Sequence, residues 1–351
     1  MFSYKENSAS LLICALLFIG CNERDSSFSL LPDQEVFNQS KSELEAKIDI
    51  LWVIDDSGSM ATSQQNVADN FNLFINDFVA KNLDFNIAVT STGAWKDPFT
   101  NNTFFDSRFR DGDRQSTSSG VFVVNPSTPD LIPTILTNML IGINGTGDER
   151  PFMSLTETLN NPLNTDFLRP DSHLAIIIVT DEDDFSHDGQ NSIGHDYNYA
   201  GLHSIQSYMD YLDTLTDSTG ASRRYSVSGI GIWDEACKTL LTDEFPNRLI
   251  AQRVGELVAA SGGVTGSLCG NFGQELSLIA ENILELSTQF FLARQPIPET
   301  IIVHVGGNIV PQSSSNGWTY NPEAISIVFH GSAIPSQGSS ILVDFDPVTI
   351  K

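Results

Sequence analysis

An aspartate and two serines at alternating positions stand directly after one of the most apolar runs in the chain. The run 48–54 (IDILWVI) leads into 55–59 (DDSGS), which places the carboxylate of Asp55 and the hydroxyls of Ser57 and Ser59 just past a buried strand. Side chains at that position face the crevice in which α/β folds bind ligands. Oxygen-only ligands suit a hard cation such as Mg²⁺ or Ca²⁺, and Gly58 is expected to permit the tight turn between the two hydroxyls. The spacing therefore predicts a divalent-cation site.

A second acidic segment has the spacing of a calcium loop. Asp184, Ser186 and Asp188 follow the D-x-S-x-D-G pattern, in which the glycine permits a sharp turn. The glutamate expected at the last position is absent, and His195 stands there. Two interpretations remain open, a second cation site or a solvated acidic loop at the rim of the first, and the pattern favours the loop.

Apolar runs alternate with helical patterns over most of the chain, which is typical of a parallel α/β sheet. The runs 48–54 and Leu174–Thr180 (LAIIIVT) are continuous rather than alternating, as expected of central strands buried on both faces. Further strands are predicted at 85–89, 121–124 and 225–232, and helices at about 130–140, 150–159, 202–215, 247–260 and 275–287. Another helix follows the first strand, where apolar residues from Val67 to Phe78 share one face. The predicted fold is α/β, a doubly wound Rossmann-like and mostly parallel sheet flanked by helices.

Two parts of the chain depart from this alternation. The segment 93–119 is too long for an ordinary connection and is predicted to be a surface insertion. Beyond Pro296, short β-branched or aromatic runs are separated by Gly, Pro, Ser and Asn, and no helical period appears. Residues 296–351 are therefore predicted to form a small antiparallel β subdomain.

The motif ILWVIDDSGSM resembles the opening of von Willebrand factor type A domains. The segment VTDEDDFS, together with TGSLCGNFGQELSLIAENI and GWTYNPEA further on, is similar to a group of bacterial type A lipoproteins. The resemblance covers most of the chain from about Lys47 onward. It implies a type A domain over 47–295, with a metal-ion-dependent adhesion site made by three loops.

The resemblance also implies which residues complete the site. Asp181, at the end of the apolar run LAIIIVT, matches the aspartate of one loop, and Thr146, in a Gly-rich segment before a predicted helix, matches the threonine of another. In the family, the two serines and the threonine bind the cation directly, whereas Asp55 and Asp181 would act through water. The implied cofactor is Mg²⁺, or Ca²⁺ or Mn²⁺ in its place, and one coordination position is left for a carboxylate from a protein partner.

The N-terminus predicts export and a lipid anchor. Lys5 precedes an apolar run, 11–20, that is too short to span a bilayer and resembles the core of a signal peptide. The run ends in FIGC, which resembles a lipobox with Cys21 as the lipidated residue; an ordinary secretory signal is the alternative. We expect a signal peptide at 1–20, a flexible tether at 21–46 and a place in the cell envelope. Asn22 favours the outer over the inner membrane.

Four cysteines are present, of which Cys14 lies in the predicted signal peptide and Cys21 at the predicted anchor. Cys237 and Cys269 remain as a pair in an oxidising compartment, which predicts a disulfide. Two separate buried thiols are the alternative.

Charge and motif together limit the function. The 18 Lys and Arg face 44 Asp and Glu, and a net charge of −26 repels phosphate backbones, so nucleic acid is not the expected partner. A phosphotransferase with Asp55 as nucleophile, in the manner of the haloacid dehalogenase-like enzymes, would need a second Asp where Ser57 stands. The sequence thus predicts a membrane-anchored binding protein rather than an enzyme, with an envelope assembly factor as the alternative.

Overall fold

The computed structural model describes residues 33–38, 46–218, 222–242, 245–246 and 248–348, and for Asp33–Asn38 (strand β1) it describes the backbone. The predicted signal peptide, the lipidation site at Cys21 and most of the predicted tether lie outside these ranges.

Among the residues that the structure describes, five parallel strands form the central sheet. They are β2 (Lys47–Ile54), β3 (Asp84–Ser91), β4 (His173–Val179), β5 (Tyr225–Gly231) and β6 (Thr265–Ser267), in the order β3-β2-β4-β5-β6. Both β2 and β4 are buried almost end to end, because neighbouring strands flank them and helices cover both faces. This burial accounts for their unbroken apolar sequences. The predicted doubly wound α/β fold is confirmed.

In the described ranges, seven α-helices surround the sheet. They are α1 (Ala61–Ala80), α2 (Leu131–Met139), α3 (Pro151–Asn160), α4 (Ile205–Leu215), α5 (Glu235–Thr242), α6 (Gln252–Ser261) and α7 (Phe272–Ser287). One hydrophobic cluster joins one face of the sheet to α1 and α7, and a second joins the other face to α3, α4 and α6. Trp52 of β2 packs edge-on against Phe74 of α1, with ring centroids 5.2 Å apart. None of the helices in the described ranges is long and apolar enough to cross a membrane.

The C-terminal part is antiparallel, as predicted. Its strands are β7 (Phe290–Phe291), β8 (Ile302–Val305), β9 (Asn308–Val310), β10 (Trp318–Asn321), β11 (Ser326–Phe329) and β12 (Ser340–Phe345). They form two sheets, β1-β12-β8-β9 and β10-β11-β7. Phe329 and Val343 belong to the same hydrophobic cluster as α1 and α7. The small β sheets therefore share a core with the α/β part.

Three predictions about irregular segments are corrected. Part of the predicted tether forms β1, which pairs antiparallel with β12. Without β1, β12 would be an edge strand with unpaired backbone groups. The predicted strand 121–124 is reduced to an isolated bridge between Val124 and Ile87. The segment 93–119 is not a plain surface insertion, since Trp95, Phe109 and Arg110 are buried.

The disulfide between Cys237 and Cys269 is confirmed. It connects α5 to the segment just after β6, with the two Cα atoms 5.6 Å apart. Since β6 is an edge strand of three residues, a covalent link there supports the least extensively paired strand of the sheet.

Candidate metal centre

The site begins where β2 and β4 end side by side. Ile54 is in register with Val179, and the amide of Asp55 donates to the carbonyl of Val179 over 2.9 Å. Asp55 and Asp181 therefore leave adjacent central strands at the same edge of the sheet. This is the crevice at which open α/β sheets bind ligands.

Three buried carboxylates meet at this edge. One carboxylate oxygen from each of Asp55, Glu149 and Asp181 lies within 4.8 Å of the other two, and the three residues are 0%, 2% and 0% exposed. Within the described ranges, these three form the one group of three or more acidic, histidine or cysteine side chains close enough to hold a metal ion. We call Asp55, Glu149 and Asp181 the acidic triad.

The two serines of the motif lie against the triad. The amide of Ser57 donates to Oδ1 of Asp55 over 2.8 Å, and the hydroxyls of Ser57 and Ser59 lie 3.0 Å apart. The Ser59 hydroxyl also interacts with the carboxylate of Asp181 and lowers its pKa. The predicted need for glycine at position 58 is not borne out, because a Cβ there would meet no atom within 4 Å and Gly58 does not have a positive φ.

Burial and mutual repulsion make the triad costly to ionise. Burial, followed by the charge of Asp55, raises the pKa of Glu149 well above its ordinary value and raises the pKa of Asp181 to about 7. The pKa of Asp55 is also raised, chiefly by burial. The Thr180 hydroxyl has a single hydrogen and lies 3.1 Å from both Asp55 and Glu149, so it cannot satisfy both carboxylates. A cation would neutralise charge that the protein otherwise compensates with protons.

The donor set fits a hard divalent cation. Oε1 of Glu149 and Oδ1 of Asp181 are buried without a hydrogen-bond partner, which is costly unless another ligand binds them. Carboxylate and hydroxyl oxygens are the ligands preferred by Mg²⁺, Ca²⁺ and Mn²⁺. The acidic triad with Ser57 and Ser59 supplies such oxygens and no sulfur or imidazole ligand.

Thr146 is engaged elsewhere. Its hydroxyl accepts hydrogen bonds from the ammonium of Lys96 over 2.6 Å and from the amide of Asp148 over 3.1 Å. A hydroxyl whose two lone pairs face these donors has none to offer a cation. Instead, Glu149 from the same loop supplies the carboxylate that lies beside Asp55 and Asp181. The sequence pattern did not predict this role for Glu149. The sequence signal that could have pointed to Glu149 is an acidic residue directly before the Arg-Pro pair at the start of α3.

A buried arginine fixes the loop that carries Glu149. Arg150 is fully buried and pairs with Asp148 over 2.7 Å. It also donates to the carbonyls of His187 and Gly189, and its guanidinium lies 3.5 Å from the ring centroid of Trp95. The indole of Trp95 donates in turn to the carbonyl of Asp148. The segment 93–119, predicted to be a surface insertion, therefore helps to position the loop of Glu149.

Two more arginines lie close to the motif. Arg248 pairs with Oδ2 of Asp181 over 2.9 Å and donates to the carbonyl of Ser59 over 3.1 Å. Arg110 lies 3.6 Å from Asp56, and its charge opposes the rise that burial causes in the pKa of Asp56. Arg248 thus pairs with a member of the acidic triad, whereas Arg110 pairs with Asp56, which lies outside it.

The Asp184 segment serves the fold. The Asp184 carboxylate accepts from the amide of Phe152 and pairs with Arg253 over 3.2 Å, which ties the loop to α3 and α6. The Ser186 hydroxyl donates to the same carboxylate. Asp188 is 99% exposed and pairs with His203. These contacts favour a loop over a second cation site, but the predicted solvated loop is corrected: Asp184 and Ser186 are buried, and Asp188 alone of the three is exposed.

Comparisons with known proteins give remote likenesses to several solved structures. No family profile and no curated protein matches the chain. Among solved structures, similarity extends to the pilus adhesin SpaC from Lactobacillus rhamnosus GG, with 12% identity, a TM-score of 0.42 and coverage of 88% of this chain and 39% of that one. The proximal thread matrix protein 1 from the mussel byssus shares 14% identity, with a TM-score of 0.38 and coverage of 72% and 51%. The ArnB paralog VWA2 from Sulfolobus acidocaldarius shares 10% identity, with a TM-score of 0.32 and coverage of 90% and 62%. The chain thus spans between 39% and 62% of the length of these three structures.

Proposed function

We propose that this chain is a von Willebrand factor type A protein that binds a protein partner through a divalent cation. The observation that carries the proposal is the acidic triad, with an unpartnered oxygen on Glu149 and another on Asp181. Asp55, Glu149 and Asp181 would hold the cation together with Ser57 and Ser59. In this assignment Glu149 takes the place that the family resemblance gave to Thr146.

The proposed role is binding rather than catalysis. Oδ1 of Asp55 accepts from the amide of Ser57, and Oδ2 lies 3.1 Å from the Thr180 hydroxyl, so both oxygens are oriented by the chain. A bound cation would supply a positive centre for a carboxylate of the partner. The chain's own contribution is to hold five oxygen-bearing side chains in place and to keep most of the site away from water.

We further propose that the protein acts at the cell envelope, anchored by a lipid on Cys21, with the outer membrane favoured over the inner one. The support is the segment 11–21, whose apolar run ends in a cysteine as in lipoprotein signal peptides. Metabolic labelling with a palmitate analogue tests the anchor. The label is expected on the wild type and absent from Cys21→Ala, and an unlabelled wild type would contradict the proposal.

Thermal unfolding tests the cation site. The chain is expected to melt at a higher temperature with Mg²⁺ than with EDTA, because a ligand that binds only the native state stabilises it. Asp55→Ala and Ser57→Ala should abolish that difference. Asp69→Ala, an exposed substitution on α1, should preserve it. Identical melting with and without Mg²⁺ in all four proteins would refute the site.

A cross-linking pull-down from intact cells, with and without a chelator, tests the binding role. The proposal predicts a partner that is captured from the wild type, lost with the chelator and lost with Asp55→Ala. Phosphatase turnover that disappears in Asp55→Ala would instead favour the enzyme alternative.

A further inference from the structure

A buried arginine is fixed directly against the acidic triad. Arg248 is 4% exposed, its Nε lies 2.9 Å from Oδ2 of Asp181, and its Nη2 donates to the carbonyl of Ser59 over 3.1 Å. The amide of Leu249, the next residue, donates to the carbonyl of Asp181 over 3.2 Å. The guanidinium is therefore attached to both loops that leave the central strands at this edge.

Arg248 is singled out by the carboxylate it contacts. In the part of the chain that the structure describes, Arg110 pairs with Asp56 and Lys96 donates to Thr146, whereas Arg248 is the basic side chain that pairs with a member of the triad. A guanidinium remains charged under all physiological conditions. It thus places a permanent positive charge beside the oxygens proposed to hold a cation.

Such a charge discriminates between cations by their charge number. The repulsion between Arg248 and a bound ion grows in proportion to the charge of the ion, since Coulomb energy is the product of the two charges. A site made only of carboxylates would favour trivalent ions over divalent ions of similar radius for the same reason. The geometry points to a specific role: we propose that Arg248 lowers the preference of this site for trivalent over divalent cations. The inference rests on the proposed function, in which the acidic triad holds a cation.

The test is calorimetric titration of the purified full-length chain with Ca²⁺ and with La³⁺, which have similar radii. Arg248→Gln and Arg248→Met remove the charge, and Arg248→Lys keeps it. Arg224→Gln is the matched control, because it removes the same charge from a partly exposed ion pair with Asp171. Arg224 directly precedes β5, at the opposite end of the strands from the triad. Near-ultraviolet circular dichroism checks that each protein is folded.

In the neutral variants we expect Ca²⁺ affinity to rise by about a hundred-fold and La³⁺ affinity by about a thousand-fold. The repulsion that is relieved is proportional to the charge of the ion, which is +2 for Ca²⁺ and +3 for La³⁺. The La³⁺ to Ca²⁺ affinity ratio should then rise about ten-fold. Arg248→Lys and Arg224→Gln should keep the wild-type ratio. Folded neutral variants whose ratio equals that of the wild type would overturn the role of Arg248, while Ca²⁺ binding by the wild type would leave the metal site standing.

Two further outcomes are decisive. If the neutral variants fold only with metal, the La³⁺ and Ca²⁺ concentrations that restore folding provide the affinity ratio in place of calorimetry. If they do not fold at all, the wild-type ratio decides: a preference for La³⁺ below about a hundred-fold supports the role, and a larger one overturns it, because a carboxylate site without an opposing charge strongly favours the trivalent ion. A wild type that binds neither ion refutes the metal site itself.

Discussion

Glu149 is the residue on which the proposed chemistry most depends. Its carboxylate is buried among Asp55, Asp181 and Glu182, and each of these charges adds to the rise that burial causes in its pKa. An isolated protein has no structural reason to keep three repelling acids at one point, because apolar packing would be more stable. Binding of the proposed cation would explain the arrangement.

Glu149→Gln is expected to separate metal binding from stability. The amide keeps the shape of the side chain but removes one charge, so affinity for Mg²⁺ should fall by at least about ten-fold. The melting temperature in EDTA should stay the same or rise, because like-charge repulsion is relieved. Calorimetry and thermal unfolding measure the two effects. Glu256→Gln, exposed on α6, is the control, and unchanged Mg²⁺ affinity in Glu149→Gln would remove this residue from the site.

The pKa values predict how stability depends on pH without metal. The pKa of Asp181 is raised to about 7 in the folded chain, against about 3.9 for an unfolded aspartate. The native state therefore binds more protons than the unfolded state between these values, and the free energy of unfolding falls as pH rises through them. The raised pKa of Glu149 acts in the same direction.

We therefore expect the melting temperature in EDTA to decrease from pH 5 to pH 8, and Mg²⁺ to reduce that decrease because the cation replaces the protons. Melting curves across this range check both statements. The account would be contradicted by a protein that becomes more stable toward pH 8 in EDTA, or by a pH profile that Mg²⁺ leaves unchanged.

At the scale of elements, the site depends on a loop held by close backbone packing. Gly145 lies before Glu149, and its amide donates to the carbonyl of Asp56 over 2.8 Å. A Cβ at this position would lie 2.0 Å from Oδ1 of Asp56 and 2.7 Å from its carbonyl oxygen. The glycine is required for this approach, so the position of the loop depends on it.

Gly145→Ala is expected to lower the free energy of unfolding by about 1–3 kcal/mol, a usual result of overpacking, and to weaken Mg²⁺ binding by displacing Glu149. Gly147→Ala is the matched control, because a Cβ there would meet nothing within 4 Å. Denaturant unfolding and calorimetry of the two variants check the comparison. Equal effects at both positions would show that the close approach to Asp56 has no energetic role.

The disulfide is expected to stabilise the edge of the sheet. Its cysteines are 32 residues apart in sequence, and closing a loop of that length contributes on the order of 3–4 kcal/mol in the chain-entropy model. The double variant Cys237→Ser/Cys269→Ser should unfold at correspondingly lower denaturant concentration. A decrease in the free energy of unfolding of less than about 1 kcal/mol would contradict the chain-entropy model for this disulfide.

The elements differ in how far the sequence predicted them. The strands β2 and β4 could be predicted because central parallel strands are unbroken apolar runs, and Asp55 and Asp181 follow from where those runs end. Glu149 and Arg248 could not, since they reach the site from loops whose paths depend on tertiary packing. Strand β1 was missed because it gains its partner from β12, some 300 residues later in the chain, and local pattern carries no sign of it.

For the whole molecule, 44 acidic residues against 18 basic ones give a net charge of −26, and the many carboxylates will attract cations weakly at many places. A measurement of overall Mg²⁺ affinity therefore tests the proposed site less directly than a measurement that locates the bound cation. The structure distinguishes one place, where three acids are buried together, from the solvated carboxylates elsewhere in its described ranges.

Anomalous diffraction from crystals soaked in Mn²⁺ is the most direct test of this account. It predicts a strong anomalous peak between Asp55, Glu149 and Asp181, with protein oxygens about 2.0–2.6 Å away. The same peak should be absent from Asp55→Ala crystals. Wild-type crystals with Mn²⁺ only at exposed carboxylates, and none at the acidic triad, would contradict the central claim.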